Sequence, residues 1–241
     1  MKSYRIFGIN FVDIGLEALM NRLKDGGLLV VPAAPALVTI PQDSEYHDAC
    51  KSADYAIFDS GLLVILLGIF KTISVKKLSG LKFLRYFILR AKDFDPASIF
   101  LVDPSKEDSR YNREYFISQG INIHQKSQYC SPMYQKGAVK DDALLQLLEE
   151  LKPTYVIVNI GGGKQEPLGA YLKKNLTYKP AIICTGAAVA FLTGRQASIP
   201  KLIDNIYLGW LFRILSNPKI FLFRYLSGFK LVPMLLKEEI K

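Results

Sequence analysis

The chain has 241 residues, of which half are hydrophobic and 22% are charged, so a full core is expected and wholesale disorder is excluded. Lys and Arg number 31 against 22 Asp and Glu, and the net charge of +9 favours anionic partners such as nucleotides, nucleic acid or anionic lipid. Three scattered cysteines and two histidines form no metal-ligand pattern. The sequence shows neither a secretory signal nor a membrane-spanning run, so we expect a cytoplasmic protein.

Short apolar strands alternate with helices along most of the chain. Strands are predicted at residues 4–9, 28–31, 55–58, 98–102, 121–124, 155–160 and 181–184. Helices are predicted at residues 13–23, 44–51, 62–70, 78–89, 106–118, 141–151 and 165–174, with Asp13 capping the first. Because apolar strands of this kind are usually buried on both faces, this order predicts an α/β domain with a Rossmann-like parallel sheet flanked by helices.

The character of the sequence changes towards the C-terminus. Between residues 205 and 237 basic residues are interspersed with large apolar ones, no acidic residue occurs, and Pro218 and Pro233 divide the stretch into short helices. We therefore predict an α/β catalytic domain at 1–197 and a basic amphipathic helical appendage at 198–241. Its composition is typical of helices that lie on an anionic membrane surface. A dimer interface, a last core helix and a nucleic-acid surface are the alternatives.

Asp59 directly follows the apolar strand predicted at residues 55–58. In open α/β sheets ligands bind beyond the carboxyl ends of the strands. A carboxylate there can take a proton from an incoming hydroxyl group, which would make Asp59 a general base. A cap for the following helix is the alternative, and position alone does not separate the two.

Two further strand ends are rich in small residues. Gly161 to Glu166 reads GGGKQE, in which glycine amides, a helix N-terminus and Lys164 would favour an anion. The segment matches neither named nucleotide-binding glycine motif, but its composition favours a phosphate or sugar site over a plain tight turn. Thr185 and Gly186 also lie between a strand and a helix, where close packing explains them as readily as a ligand does.

Two other patterns are weak. Asp93 and Asp95 form the DxD spacing that holds a metal in many nucleotide-sugar enzymes, but they precede a strand instead of following one. His47 lies in a polar helix beside Asp48 and is expected at the surface. We expect no bound metal at either place.

Four ordered segments together resemble the WecG/TagA/CpsF family, glycosyltransferase family 26. They are DSEYHDACKSADYAIFDSG from Asp43, GGGKQE from Gly161, TGAAVAFLTGRQASIP from Thr185 and LGWLFRILSNPKIFLFRYL from Leu208. The resemblance covers nearly the whole chain and implies a GT-E-like fold with a C-terminal membrane-binding appendage.

The resemblance also implies a function. It implies inverting, metal-independent transfer of a sugar from a UDP-sugar to a polyprenyl-diphosphate-linked acceptor, in the synthesis of a cell-surface polysaccharide or teichoic-acid-type polymer. It places Asp59 on the family's proposed catalytic aspartate and Gln165 on an active-site glutamine. No cofactor besides the donor substrate is expected. The enzyme would lie on the inner face of the cell membrane as a homo-oligomer, without a nucleic-acid partner.

The remaining site residues fall into two groups. Substrate binding is expected from Ser60, Lys77, Gly161, Gly162, Gly163, Lys164, Glu166, Thr185 and Gly186. Contacts to the acceptor diphosphate and the membrane are expected from Arg213, Lys219, Arg224 and Lys230.

The sequence departs from the family's pattern at several positions. Where the family has Thr and Asn in a TxN motif after its second strand, this chain has Val31 and Ala33. Ala190 replaces an aspartate of the family, and Gly209 replaces a glutamate. Lys77 stands where the family has an arginine, which keeps the charge but not the two-pronged grip on phosphate. These changes leave the donor sugar open among an N-acetylhexosamine, a uronic acid and a hexose. They also motivate the alternative of a non-catalytic nucleotide-sugar-binding relative.

Overall fold

The computed structural model describes residues 1–135, 137, 139–186, 188–195, 207, 209–216 and 218–240. Within them, eight strands form one sheet: β1 (Lys2–Ile6), β2 (Ile9–Asp13), β3 (Gly27–Val30), β4 (Tyr55–Ile57), β5 (Ile99–Asp103), β6 (Gln128–Cys130), β7 (Tyr155–Val158) and β8 (Ala181–Cys184). The strand order is β1-β2-β4-β3-β8-β7-β5-β6, and every neighbouring pair is parallel except β1 and β2. The predicted Rossmann-like α/β fold is confirmed.

Helices cover both faces of the sheet. Among the described residues, nine precede the C-terminal region: α1 (Leu16–Leu23), α2 (Ala34–Leu37), α3 (Ser44–Ser52), α4 (Gly61–Lys71), α5 (Gly80–Arg90), α6 (Lys106–Ser118), α7 (Asp142–Leu151), α8 (Gln165–Asn175) and α9 (Ala188–Leu192). Apolar side chains of α2, α3, α4, α7 and α8 form one buried cluster, and those of α1, α5, α6 and α9 form the other. Strand residues alternate between the clusters, so Leu28 faces one and Leu29 the other. This is the three-layer arrangement that the alternating pattern predicts.

The N-terminus differs from the prediction. The single strand expected at residues 4–9 is a hairpin, because Phe7 and Gly8 both adopt positive φ, 52° and 75°, and reverse the chain between β1 and β2. The predicted cap at Asp13 is wrong, since Asp13 ends β2 and Gly15 occupies the N-cap of α1.

The strand predicted at residues 121–124 is also absent. Ile121 and Ile123 are buried in the core, but their segment pairs with no neighbouring strand. The sixth strand is instead the short, polar Gln128–Cys130, which pairs with β5. The alternation of apolar and polar residues indicates that one side of a segment is buried, but it does not indicate whether the backbone pairs with another strand. The prediction therefore placed this strand several residues too early.

The structure describes three helices in the C-terminal region: α10 (Gly209–Ser216), α11 (Pro218–Gly228) and α12 (Leu231–Lys237). Pro233 does not separate helices but lies in the first turn of α12, where backbone N–H groups have no intrahelical partner in any case. The predicted boundary between residues 197 and 198 lies outside the described residues. Over the part of the chain that is described, no helix is long and apolar enough to cross a membrane.

The last helix is part of the main core. Leu231 and Leu235 are fully buried and pack with the apolar residues of α4. Beyond the helix, the Glu238 carboxylate accepts a hydrogen bond from the Phe7 backbone N–H at 2.7 Å. The Glu238 carbonyl accepts another from the Lys71 ammonium group at 2.6 Å.

Candidate active site

Three predicted site segments directly follow parallel strands in the middle of the sheet, so they lie along the same edge of the sheet. Asp59 follows β4, Gly161 to Gly163 follow β7, and Thr185 and Gly186 follow β8. The strand order places β3 and β8 between β4 and β7, so three strand spacings of about 4.8 Å separate Asp59 from the glycine loop, roughly 14 Å in all. This edge is the position at which open α/β sheets bind ligands.

Asp59 is half-buried and does not cap the helix that follows it. The cap of α4 is Ser60, whose Oγ accepts a hydrogen bond from Leu63 N at 3.3 Å. The Asp59 Oδ1 atom instead accepts a hydrogen bond from Gly80 N at 2.8 Å, at the start of α5. The carboxylate is thus held in place at the sheet edge by a helix from another part of the chain.

Gly80 connects Asp59 to the end of β8. A Cβ atom at this position would lie 3.0 Å from the Thr185 carbonyl oxygen and 3.2 Å from Thr185 Cβ, so glycine allows α5 to pack closely there. Thr185 is 4% exposed, and its hydroxyl group has no hydrogen-bond partner among the described residues. A buried hydroxyl group without a partner is uncommon, so Thr185 has unused hydrogen-bonding capacity at this edge of the sheet.

The glycine loop after β7 is shaped by its backbone. Gly161 and Gly163 have φ values of 89° and 83°, which favour glycine, and a Cβ atom at either would meet no neighbour within 4 Å. The Gly163 N–H donates to the Glu166 carboxylate at 2.7 Å. This leaves the N–H groups of Gly161 and Gly162 as the loop's candidate donors to an anion.

Gln165 and Glu166 point into the protein. Gln165 is 1% exposed, and its Nε2 donates to Glu166 Oε1 at 3.0 Å, while its Oε1 accepts from Gly186 N at 3.0 Å. Gln165 therefore joins the end of β7 to the end of β8. Burial raises the pKa of Glu166, and the hydrogen bonds from Gln165 and Gly163 oppose that rise. In this structure both side chains hold the loop together.

Sequence reasoning missed the residues around Glu166. Tyr46 and Cys50, one turn apart on α3, are both buried. Burial, reinforced by the nearby Glu166 carboxylate, raises the pKa of each. Burial and the Glu166 carboxylate raise the pKa of Cys184 as well. The sequence predicts a polar helix for this segment, and nothing in its pattern indicates the carboxylate that these groups face.

A second strand-end aspartate was also missed. Asp103 ends β5 fully buried, and its Oδ1 accepts from Asn112 Nδ2 at 2.7 Å and Asn159 Nδ2 at 2.8 Å. Burial raises the pKa of Asp103, and these amide hydrogen bonds counteract the rise. Asn159 precedes the glycine loop, so Asp103 fixes the base of that loop. A signal existed, since Asp103 ends the apolar run IFLVD much as Asp59 ends YAIFD.

The C-terminal region begins next to Asp59. The Tyr207 carbonyl approaches Gly61 so closely that a Cβ atom there would lie 2.3 Å from it. Lys77 Nζ lies 6.0 Å from the centroid of the Tyr207 ring. Lys164 is the half-buried N-cap residue of α8 and stands beside the glycine loop. Both predicted substrate-binding lysines therefore lie near this edge of the sheet.

The predicted diphosphate and membrane contacts are carried by α10, α11 and the turn that follows. Lys219 and Lys230 are exposed, whereas the side chains of Arg213 and Arg224 lie outside the described residues. The two helices also expose large apolar side chains, among them Leu211, Leu215, Phe223 and Leu226, and Phe229 follows them. Leu215 is 73% exposed and Phe223 79%.

The two weak motifs lie elsewhere. Asp93 and Asp95 precede β5 and thus lie towards the opposite edge of the sheet from Asp59, and Asp95 Oδ1 accepts from Ala97 N within a tight turn. His47 is only half-buried, and its Nε2 lies 2.6 Å from the Phe7 carbonyl oxygen in the β1–β2 turn. No group of three His, Cys, Asp or Glu with metal-binding geometry occurs among the described residues.

The family model described as Glycosyl transferase WecG/TagA/CpsF family matches residues 4–241, nearly the whole chain. No curated protein is similar enough to the chain to be matched.

Proposed function

Because the chain belongs to the WecG/TagA/CpsF family of glycosyl transferases, we propose that it moves a sugar from a UDP-sugar to a hydroxyl group of a polyprenyl-diphosphate-linked acceptor. The observation that carries the proposal is the Asp59 carboxylate, held by Gly80 N at the carboxyl edge of the sheet while Ser60 caps the following helix. Transfer with inversion requires one base on the acceptor side, and the proposal assigns that role to Asp59.

In the proposed step, the acceptor oxygen forms a bond to the anomeric carbon as Asp59 removes the hydroxyl proton. The bond between the anomeric carbon and the UDP oxygen breaks, and the electron pair leaves with UDP. Asp59 must be ionised before the step and is protonated after it. The Gly80 N–H donates to Asp59 Oδ1 at 2.8 Å and so fixes the position of the carboxylate.

The charge of the leaving UDP is assigned to the groups around the glycine loop and not to a metal. The N–H groups of Gly161 and Gly162 lie beside the N-terminus of α8, which carries a positive partial charge. Lys164 stands at that N-terminus, and Lys77 lies near the Asp59 side of the edge. Donors arranged before the reaction can stabilise developing negative charge without reorganisation.

The sugar would lie between Asp59 and the glycine loop, beyond the ends of β3 and β8. Val31 and Ala33 follow β3 there, so this strand end offers apolar side chains where the family has Thr and Asn. The Thr185 hydroxyl, unpaired among the described residues, is the polar group that supports sugar binding at the end of β8. The changes at Val31 and Ala33 leave the donor sugar open among an N-acetylhexosamine, a uronic acid and a hexose.

The proposal assigns membrane docking to the C-terminal region. Exposed Leu215 and Phe223 accompany exposed Lys219 and Lys230 on the same helices and turn, a combination that favours an anionic bilayer surface. Tyr207 places the beginning of this region beside Gly61. A membrane-bound acceptor would thus be delivered close to Asp59.

The test is a transfer assay with a panel of UDP-sugars and mixed polyprenyl-linked acceptors, read by mass spectrometry. Asp59→Asn should abolish transfer and leave UDP binding within about twofold of the wild type, since the amide keeps an acceptor for Gly80 N but cannot serve as a base. Asp93→Asn, an exposed aspartate away from this edge, is the matched control and should be unaffected. Unchanged turnover by Asp59→Asn would remove Asp59 from the mechanism.

A non-catalytic nucleotide-sugar-binding role is the second candidate, and Val31 and Ala33 are the observation that favours it. UDP-sugar binding by the wild type without transfer or hydrolysis of any donor in the panel would support that role.

A further inference from the structure

One face of α6 is strongly basic and borders a cleft. Lys106, Arg110 and Arg113 recur at helical spacing, so they project from the same side of the helix. They line a cleft of about 380 Å³ between α6 and the segment 125–130. The other lining residues are Ser109, Gln125, Gln128 and Cys130, and none of the lining residues is acidic.

The two acidic residues in the first turn of α6 are paired with a cation from another segment. Arg195, which follows α9, places Nη1 3.3 Å from the Glu107 carboxylate and Nε 3.4 Å from the Asp108 carboxylate. None of the three cleft cations has a carboxylate partner within ion-pair distance among the residues that the structure describes.

One side chain on each wall of the cleft is held by contacts within the protein. The Arg110 guanidinium lies 4.7 Å from the centroid of the Tyr111 ring, a contact that restricts its conformations. On the opposite wall, Gln128 Nε2 donates to the Ser109 carbonyl at 2.8 Å and also faces the Asp103 carboxylate at 3.4 Å. Three cations around a polar cleft with no acidic side chain in its lining would stabilise a negatively charged ligand. Such a ligand would also reduce the electrostatic repulsion among the three cations.

The cleft is separate from the candidate active site. It borders β6, which lies two strands from the glycine loop after β7 and five strands from Asp59 after β4. At about 4.8 Å per strand these separations are roughly 10 Å and 24 Å. A diphosphate bound at the glycine loop would therefore not itself lie in the cleft.

We propose that this cleft binds a phosphate-bearing ligand and is a second anion site of the protein. The spacing of Lys106 and Arg113, seven residues apart on a helix, is about 10 Å along the axis, which suits a ligand with more than one negative charge. Arginine at two of the three positions suits phosphate oxygens, which it can bind with two N–H groups. The proposal does not depend on Asp59 or on transfer.

The reactivity of Cys130 can be used to measure ligand binding in this cleft. Cys130 lines the cleft and is exposed, whereas Cys50 and Cys184 are buried. Its rate of modification by an uncharged disulfide reagent can be followed on the intact chain at constant ionic strength. The ligands to add are pyrophosphate, UDP, and vesicles of phosphatidylglycerol or of phosphatidylcholine alone.

Pyrophosphate or UDP should slow the modification of Cys130 in a saturable manner. The double variant Arg110→Gln/Arg113→Gln should need at least roughly tenfold more ligand for the same protection, since charge-assisted hydrogen bonds are lost. Lys126→Gln, an exposed cation in the adjoining segment that does not line the cleft, is the matched control. Asp59→Asn should be protected as well as the wild type.

Two results support the proposal, and they identify the source of the phosphate. Protection by the soluble compounds indicates a free ligand, and protection only by the anionic vesicles indicates a phospholipid headgroup. Absence of saturable protection by any of these, with Cys130 still reactive, would overturn the proposal. Equal protection of the double variant and the wild type would overturn it too, provided that both show the same thermal unfolding.

Discussion

Replacing Gln165 by Glu would place a second carboxylate beside a buried one. The new side chain keeps its shape and can still accept the Gly186 N–H, now at 3.0 Å from Gln165 Oε1. On its other side, however, a donor 3.0 Å from Glu166 Oε1 becomes an acceptor. Both positions are almost completely buried, at 1% and 2% exposure, so water cannot relieve the repulsion.

The cost of this change can be bounded in two ways. Two charges 3.0 Å apart repel by about 5.5 kcal/mol at an effective dielectric constant of about 20. Binding one proton avoids this repulsion and costs about 1.36 kcal/mol for each pH unit above the ordinary glutamate pKa of about 4.3. At pH 7 the proton costs about 3.7 kcal/mol and at pH 5 about 1 kcal/mol, so protonation is the cheaper outcome at both.

The variant therefore takes up one more proton on folding than the wild type. Because this pKa is raised in the folded state, the folded protein holds the proton while the unfolded chain has released it, and stability falls as pH rises above about 4.3. Urea unfolding of both proteins at pH 5, 6 and 7 should give a difference in unfolding free energy that grows by up to about 1.36 kcal/mol per pH unit. Exposed Gln42→Glu is the control and should show no such trend. A difference that stays constant over this range would refute the buried arrangement of Gln165 and Glu166.

Four other outcomes are expected. Gly161→Ala should cost about 1 kcal/mol in unfolding free energy, measured by urea titration, because a positive φ disfavours alanine although space is open. Lys77→Gln should raise KM for the UDP-sugar by roughly tenfold with a smaller effect on kcat in steady-state assays, since a charged contact to the diphosphate is lost. Leu215→Ser/Phe223→Ser should lower sedimentation with anionic vesicles by at least about tenfold, because two apolar side chains no longer enter the bilayer. Transfer should persist in EDTA; a loss that Mn²⁺ restores would contradict the assignment of the UDP charge to protein groups.

The sequence predicted the fold well because burial leaves a strong pattern. The wholly apolar runs of β3, β7 and β8 could lie only between two layers of helices, and the strand-end rule then placed Asp59 and the glycine loop at one edge. The hairpin turn at Phe7 and the polar strand β6 were missed because neither changes the hydrophobic pattern. Both depend on backbone partners that a linear sequence does not specify.

The site was predictable in position but not in detail. Gln165 and Glu166 lie in the first turn of a helix, where a side chain can face the ligand or the interior with the same sequence. Their inward orientation follows from the N–H group of Gly186, which comes from another segment, and from that of Gly163 in their own loop, whose backbone conformation the sequence does not specify. The roles of the site residues and the two-domain division stay predictions.

The hydrogen bond between Phe7 and Glu238 ties the first hairpin to the end of the last helix, 231 residues away. The C-terminal helices are consequently held against the rest of the protein at both ends. Cutting the chain near residue 200 would remove Leu231 and Leu235 from the core and release the hairpin turn, as well as detaching the proposed membrane surface. Loss of vesicle binding by such a truncation would then report unfolding as readily as docking. Substitution of exposed side chains such as Phe223 leaves the contacts at both ends intact. It therefore distinguishes loss of membrane docking from unfolding.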